Sequence, residues 1–182
     1  MTTPNQILLE VPPTRYDSIS RLLHWLTLTL LIAQFALGWL MPDVDSVKRP
    51  YGLVAWHVGV GTSLLVVVLI RFVWAVIRRN PGDIEQSALL RIAARAVHIA
   101  LYALLVGVPV LGWLNADGRA WLVQIAGVWP LPRIATPDSL GAAIGEWHSA
   151  SAVVLLILIG LHIVAALTHH LSFKDRTLRR ML

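Results

Sequence analysis

Charge is absent from four long stretches of this chain, and those gaps set its architecture. No Asp, Glu, Lys or Arg occurs from Leu22 to Pro42, Pro50 to Ile70, Ala96 to Ala116 or Trp147 to Phe173. The second stretch continues past Arg71 through Phe72-Val73-Trp74-Ala75-Val76-Ile77. A helix needs about 20 predominantly apolar residues to cross a hydrocarbon layer of about 30 Å. Four transmembrane helices are therefore predicted, at approximately residues 18–41, 51–77, 92–115 and 145–170. Strands of a membrane barrel alternate polar and apolar side chains, and Leu64-Leu65-Val66-Val67-Val68-Leu69-Ile70 does not. The first stretch is longer than the h-region of a secretory signal and ends in Trp39-Leu40-Met41-Pro42-Asp43, without a small-residue cleavage pattern. It reads as a helix that stays. The predicted fold class is an all-α membrane protein: one four-helix bundle over residues 16–182, behind a flexible tail (1–15) that carries Pro4, Pro12 and Pro13.

Composition agrees with a lipid environment. The 182 residues are 57% hydrophobic and 14% charged, against about 25% charged in a typical soluble domain. A net charge of +5 and a pI near 10.4 would suit nucleic acid if the cations shared one face, but they sit between the apolar stretches, which excludes that partner. Of the 15 Lys and Arg residues, Lys48, Arg49, Arg119 and Arg133 fall on one side of the bundle and eleven on the other. By the positive-inside rule both termini are cytoplasmic. The outer loop (116–144) holds Trp121-Leu122-Val123-Gln124-Ile125-Ala126-Gly127-Val128-Trp129, apolar but too short to span, and is expected in the interface. Pro109 is expected to bend the third helix. Without cysteine there is no disulfide, iron–sulfur cluster, thiolate zinc site or covalently attached haem.

Seven histidines in so apolar a chain carry the chemistry, because ionisable groups within membrane helices are costly. His24 lies near the inner end of helix one, His57 near the outer end of helix two, and His98 near the inner end of helix three. Helix four carries His148 at its outer end and His162 deep on the inner side. Those last two are fourteen residues apart, which puts them on one face and about 21 Å apart in height. Each has a partner at its own depth: His57 for His148, and His24 for His162. Two stacked imidazole pairs suit two planar cofactors better than one metal ion, and haem b, held without covalent linkage between facing helices, fits. Glycines near these histidines (Gly59, Gly61, Gly145, Gly160) allow close approach, though membrane helices use glycine for ordinary packing as well.

The segments Arg21-Leu22-Leu23-His24-Trp25-Leu26, Trp56-His57-Val58-Gly59-Val60-Gly61 and Val97-His98-Ile99-Ala100-Leu101-Tyr102 resemble the bacterial cytochrome b561 family. So do Trp147-His148-Ser149, Gly160-Leu161-His162 with the following Ile163 to His170, and Lys174-Asp175-Arg176-Thr177-Leu178. The resemblance implies a four-helix dihaem b-type cytochrome of the bacterial inner membrane. His24 and His162 would hold the cytoplasmic-side haem, and His57 and His148 the outer one.

The remaining candidates have two readings each. His98 is a rival axial ligand at nearly the depth of His24 and His162, or else a propionate or packing partner. Arg71 and Arg95 pair with haem propionates or anchor the inner boundary by snorkelling. His169 projects from the same face as His162 and is a candidate proton donor to a quinone; its alternative is interfacial solvation beside Lys174, and His170 points elsewhere. Arg119 and Arg133, with Lys48 and Arg49, either steer an anionic substrate or are ordinary loop charges. The expected activity is superoxide oxidation outside coupled to ubiquinone reduction, as in a member of the resembled family. The alternatives are an electron-transfer subunit docking a periplasmic redox protein, and a histidine-lined metal or proton transporter. The charge bias makes one direct prediction: a fluorescent protein fused to the C-terminus will be fluorescent, whereas alkaline phosphatase at the same position will be inactive. The opposite pattern would invert the orientation.

Overall fold

The computed structural model describes residues 15–44, 49–78, 87–134 and 141–182. Residues 1–14 of the expected tail and Lys48 lie outside them. Among the described residues there are four helices long and apolar enough to cross a membrane: α1 (Ser18–Leu40), α2 (Gly52–Ile77), α3 (Ala88–Gly118) and α4 (Gly141–Leu171). α3 starts four residues before the expected limit and α4 four residues before its own.

Local chemistry explains several boundaries. Asp17 caps α1, its carboxylate accepting from the Ile19 and Ser20 amides, and it also accepts from Trp74 Nε1 of α2, which ties those two inner ends together. Ser87 caps α3 through the Leu90 amide. α1 stops at Met41-Pro42, where proline cannot donate a further helical bond. α3 runs through Pro109 without a break in the helix.

Neighbouring helices pack in chain order, α1 on α2, α2 on α3 and α3 on α4, while α1 and α4 make at most marginal contact. The central core takes Leu31, Leu64, Val68, Leu105, Val108 and Leu155, so every helix contributes to it. Large apolar side chains such as Leu22, Ile32, Val76, Ile99 and Leu161 point outward, which water would penalise and lipid does not. At the inner end a C-terminal strap bridges the α1–α4 side: the Tyr16 amide donates to Arg180 O at 3.2 Å, Trp25 Nε1 to Met181 O at 3.0 Å and Arg21 Nη1 to Leu182 O at 2.7 Å.

The outer loop differs from the interfacial segment expected. It folds into a hairpin of β1 (Gln124–Ile125) and β2 (Trp129–Pro130), with positive φ at both Ala126 and Gly127 of the turn, the sign tight hairpins favour. Trp121 and Val123, 8% and 3% exposed, pack on Val54 and Ala116 in place of facing lipid. Only Leu122, Val128 and Trp129 of that stretch remain as exposed large apolar groups. Non-helical backbone near the bilayer has to be satisfied within the protein. Accordingly Gln124 O accepts from Thr62 on α2 at 2.9 Å. Asp117, 2% exposed, receives the Ile134 amide at 2.6 Å and Arg133 Nε at 3.1 Å. Removing that carboxylate strands the Ile134 N–H and takes the partner of Arg133 Nε, leaving Arg133 only its bond to Asp117 O. Asp117→Ala should therefore lower stability by about 2 kcal/mol in thermal unfolding in detergent, with earlier proteolysis in the outer loop. An unchanged melting temperature would show that water replaces these bonds.

Candidate functional site

The histidines gather into two clusters at opposite ends of the bundle, each built by all four helices. At the outer end the rings of His57 on α2 and His148 on α4 stand 6.1 Å apart, nearly perpendicular. His148 Nδ1 donates to Val108 O of α3 at 2.9 Å. Gly112 makes that reach possible, since a Cβ there would lie 3.0 Å from His148 Cε1. Between α1 and α2 the seating is reciprocal. His57 lies over Gly38, where a Cβ would approach its Cε1 to 3.3 Å, and Gln34 lies over Gly61, where a Cβ would meet its amide nitrogen at 2.9 Å. Residues 34 and 38, like 57 and 61, are four apart and share a helix face. Gln34 Nε2 is 3.0 Å from His57 Nε2.

The inner cluster takes His24 from α1, Arg71 from α2, His98 from α3 and His162 from α4. Arg71 Nη2 donates to His24 Nδ1 at 2.9 Å, and its guanidinium lies 5.5 Å from the Tyr102 ring centre. The rings of His98 and His162 are 5.4 Å apart. The rival ligand is thus in ring contact with His162, while His24 is turned to Arg71. Arg95 is exposed on α3, three residues before His98.

Below the inner cluster His169 is held from two sides. Its Nδ1 donates to Asp175 Oδ2 at 2.5 Å, and Phe173 packs edge-on against its ring. Lys174, at φ 52°, turns the chain back so that Asp175 can reach. The second oxygen of Asp175 accepts the Thr177 amide at 2.8 Å. His170 is half-buried. On the outer side Arg133 is paired with Asp117, and Arg119 donates to Asn115 Oδ1 and Val44 O and covers Trp121. Both arginines thereby hold the hairpin in place.

Comparison with known proteins decides the family. The sequence profile of prokaryotic cytochrome b561 matches residues 15–182. The chain belongs to that family. Cytochrome b561 homolog 2 of Escherichia coli K12 is 36% identical over 180 residues, covering 93% of this chain and 92% of that protein. Cytochrome b561 homolog 1 of the same organism is 28% identical, over 92% of this chain and 97% of its own length. A probable superoxide oxidase, CybB of Yersinia pestis, is 26% identical, over 92% of this chain and 96% of that one. As a cytochrome b561, the chain is a multi-pass membrane oxidoreductase of electron transport, and its family implies b-type haem.

The outer cluster fits such a group on its own geometry. His57 and His148, on facing helices with ring centres 6.1 Å apart, would hold such a group between them. With Nδ1 donating to a backbone carbonyl, His148 keeps the Nε2 lone pair available, the usual arrangement of a metal-ligating histidine. His57 Nδ1 is buried with no hydrogen-bond partner. Among the described residues no group of three or more His, Cys, Asp or Glu side chains is arranged to hold a metal ion.

Sequence reasoning missed Gly38, Gly112 and Gln34, which lie on helices one and three opposite the histidines they serve. Of the glycines it named, Gly61 does face the site, whereas Gly59 packs against Gly127 of the hairpin and Gly145 against Asn115. Asp175 was also passed over, and the signal for it was a carboxylate six residues beyond His169. Burial disfavours its charge, but bonds from Thr177, led by the backbone amide, and from His169 outweigh this and hold the carboxyl below its ordinary value. A folded-state value below the unfolded one adds stability above about pH 4 that is lost as pH falls through the folded value. Asp175→Asn should therefore melt below the wild type at pH 7, and the gap should close as the pH falls through the lowered folded-state value. A gap constant with pH would assign the residue a packing role only.

Proposed function

We propose that this cytochrome b561 holds two b haems in a bacterial inner membrane, oxidises superoxide at the periplasmic face and reduces ubiquinone at the cytoplasmic side. One observation carries the reading: two separate imidazole clusters at the two ends of one bundle, with the hydrogen-bonded His169–Asp175 pair beneath the inner one. The name of the Yersinia relative adds support for superoxide. Two superoxide anions give two dioxygen molecules and two electrons, and one ubiquinone takes up two electrons and two protons to become ubiquinol.

Haem b, when bound, supplies reversible one-electron iron chemistry. His57 and His148 hold the outer group, and His24 and His162 the inner one, with His98 as the rival beside His162. An Nδ1 that accepts from Arg71 leaves the proton of neutral His24 on Nε2. For His24 to ligate through Nε2, Arg71 has to release it, and the guanidinium is then available for a propionate, with Arg95 as the second candidate. His169, oriented by Asp175 through Nδ1, presents Nε2 to deliver a proton to a quinone oxygen. On the outer side, Arg133 shares its charge with Asp117, so steering rests on the summed field of Arg49, Lys48, Arg119 and Arg133. Such a field weakens as salt is added.

The haem-loaded protein in detergent, given a superoxide source and a soluble ubiquinone, tests this reading. Quinone absorbance should fall without any added protein, more slowly at high salt. His169→Gln should slow it about a hundredfold with the haem spectrum unchanged. Turnover only after addition of a periplasmic redox protein would replace superoxide oxidation with the docking reading.

A further inference from the structure

Nothing charged lies between Arg119 and Arg133, a stretch of thirteen residues that leaves the outer end of α3 and returns to it. Both ends of the stretch are fixed at one level. The Trp121 amide donates to Ala116 O at 3.0 Å, the Ile134 amide to Asp117 Oδ2 at 2.6 Å, and Ala116 packs with Val54 near the start of α2. Between these ends the chain runs down α2. Thr62 Oγ1 donates to Gln124 O at 2.9 Å, and a Cβ on Gly59 would lie 3.6 Å from Gly127 N in the hairpin turn.

The contact with Gly59 gives that turn a depth. Gly59 is seven residues along α2 from Gly52, or about 10 Å. The uncharged part of α2, Gly52 to Ile70, is about 28 Å long and matches a hydrocarbon layer of about 30 Å. The turn therefore lies below the outer edge of that layer. It is also on the far side of α2 from the histidine site, because Gly59 is two residues from both His57 and Gly61, about 200° around the helix.

What the hairpin presents outward at this depth suits lipid. Leu122, Val128 and Trp129 are exposed and apolar, and Trp56, three residues before Gly59 on the same side of α2, extends the same surface. Its polar backbone is taken up internally. The Val128 amide donates to Ile125 O and the Leu131 amide to Val123 O, the two strands pair with each other, and Gln124 O accepts from Thr62. Internal satisfaction of this kind is the condition for non-helical chain at membrane depth.

We infer that the β1–β2 hairpin is a re-entrant element seated on α2 within the outer leaflet, with Val128 and Trp129 against lipid acyl chains. Arg119 and Arg133 then stand above it at the level of the lipid headgroups, where cationic side chains are accommodated.

The chain has no cysteine, so Val128→Cys carries a single nitroxide label. In proteoliposomes, relaxation of that label by oxygen, which concentrates among acyl chains, is compared with relaxation by a water-soluble nickel chelate. The ratio of oxygen to nickel accessibility should be severalfold higher at position 128 than in Tyr51→Cys, at the outer end of α2. It should resemble that of Val153→Cys on the exposed face of α4. Trp129→Cys gives the same reading should Val128→Cys fail to accumulate. A label relaxed chiefly by nickel, as at position 51, would put the hairpin in water and overturn the inference. A label shielded from both reagents would mean that a second copy of the chain or another protein covers the surface, and would overturn it equally.

Discussion

An imidazole placed between apolar helices needs both a hydrogen-bond partner and room, and the design of this bundle follows from meeting both demands. The partners are a backbone carbonyl for His148, a carboxamide for His57 and a guanidinium for His24. Room comes from glycines on the facing helices: Gly112 opposite His148, Gly38 opposite His57 and Gly61 opposite Gln34. A methyl group at any of them would press on the polar side chain it faces. Because lipid offers helices no hydrophobic drive to associate, close approach and internal polar contacts carry more of the assembly than in a soluble bundle.

Packing in chain order leaves α1 and α4, the first and last helices, without substantial direct contact. Those two helices carry His24 and both His148 and His162. The C-terminal strap joins them at the inner end through Arg21, Trp25 and Tyr16, while the hairpin, pinned by Thr62 and Asp117, covers the outer end of α2 and α3. Both ends are thus organised by irregular chain whose backbone groups are taken up by side chains, as the surroundings of a bilayer demand.

Much of this was legible in the sequence because charge and imidazole are scarce there. Four uncharged stretches define four helices, and fourteen residues between His148 and His162 place them on one face at two depths. What could not be read was which side chain on a neighbouring helix each histidine meets. Gly38 and Gln34 have no local signature, since their meaning depends on the register of α1 against α2. Likewise Arg133 looks like a loose loop cation until Asp117, sixteen residues earlier, is brought against it. The Trp121–Trp129 segment looked interfacial from its composition, and only the fold shows that Trp121 and Val123 turn inward while Trp129 stays out.

The central claim is that each imidazole cluster holds one b haem. Counting haem per chain in the purified protein by pyridine haemochrome, with oxidised and dithionite-reduced spectra, tests it most directly. The account predicts two low-spin b haems per chain. One haem would leave only one cluster as a ligand site and reopen the assignment among His24, His98 and His162. No haem, from cells able to supply it, would contradict the account.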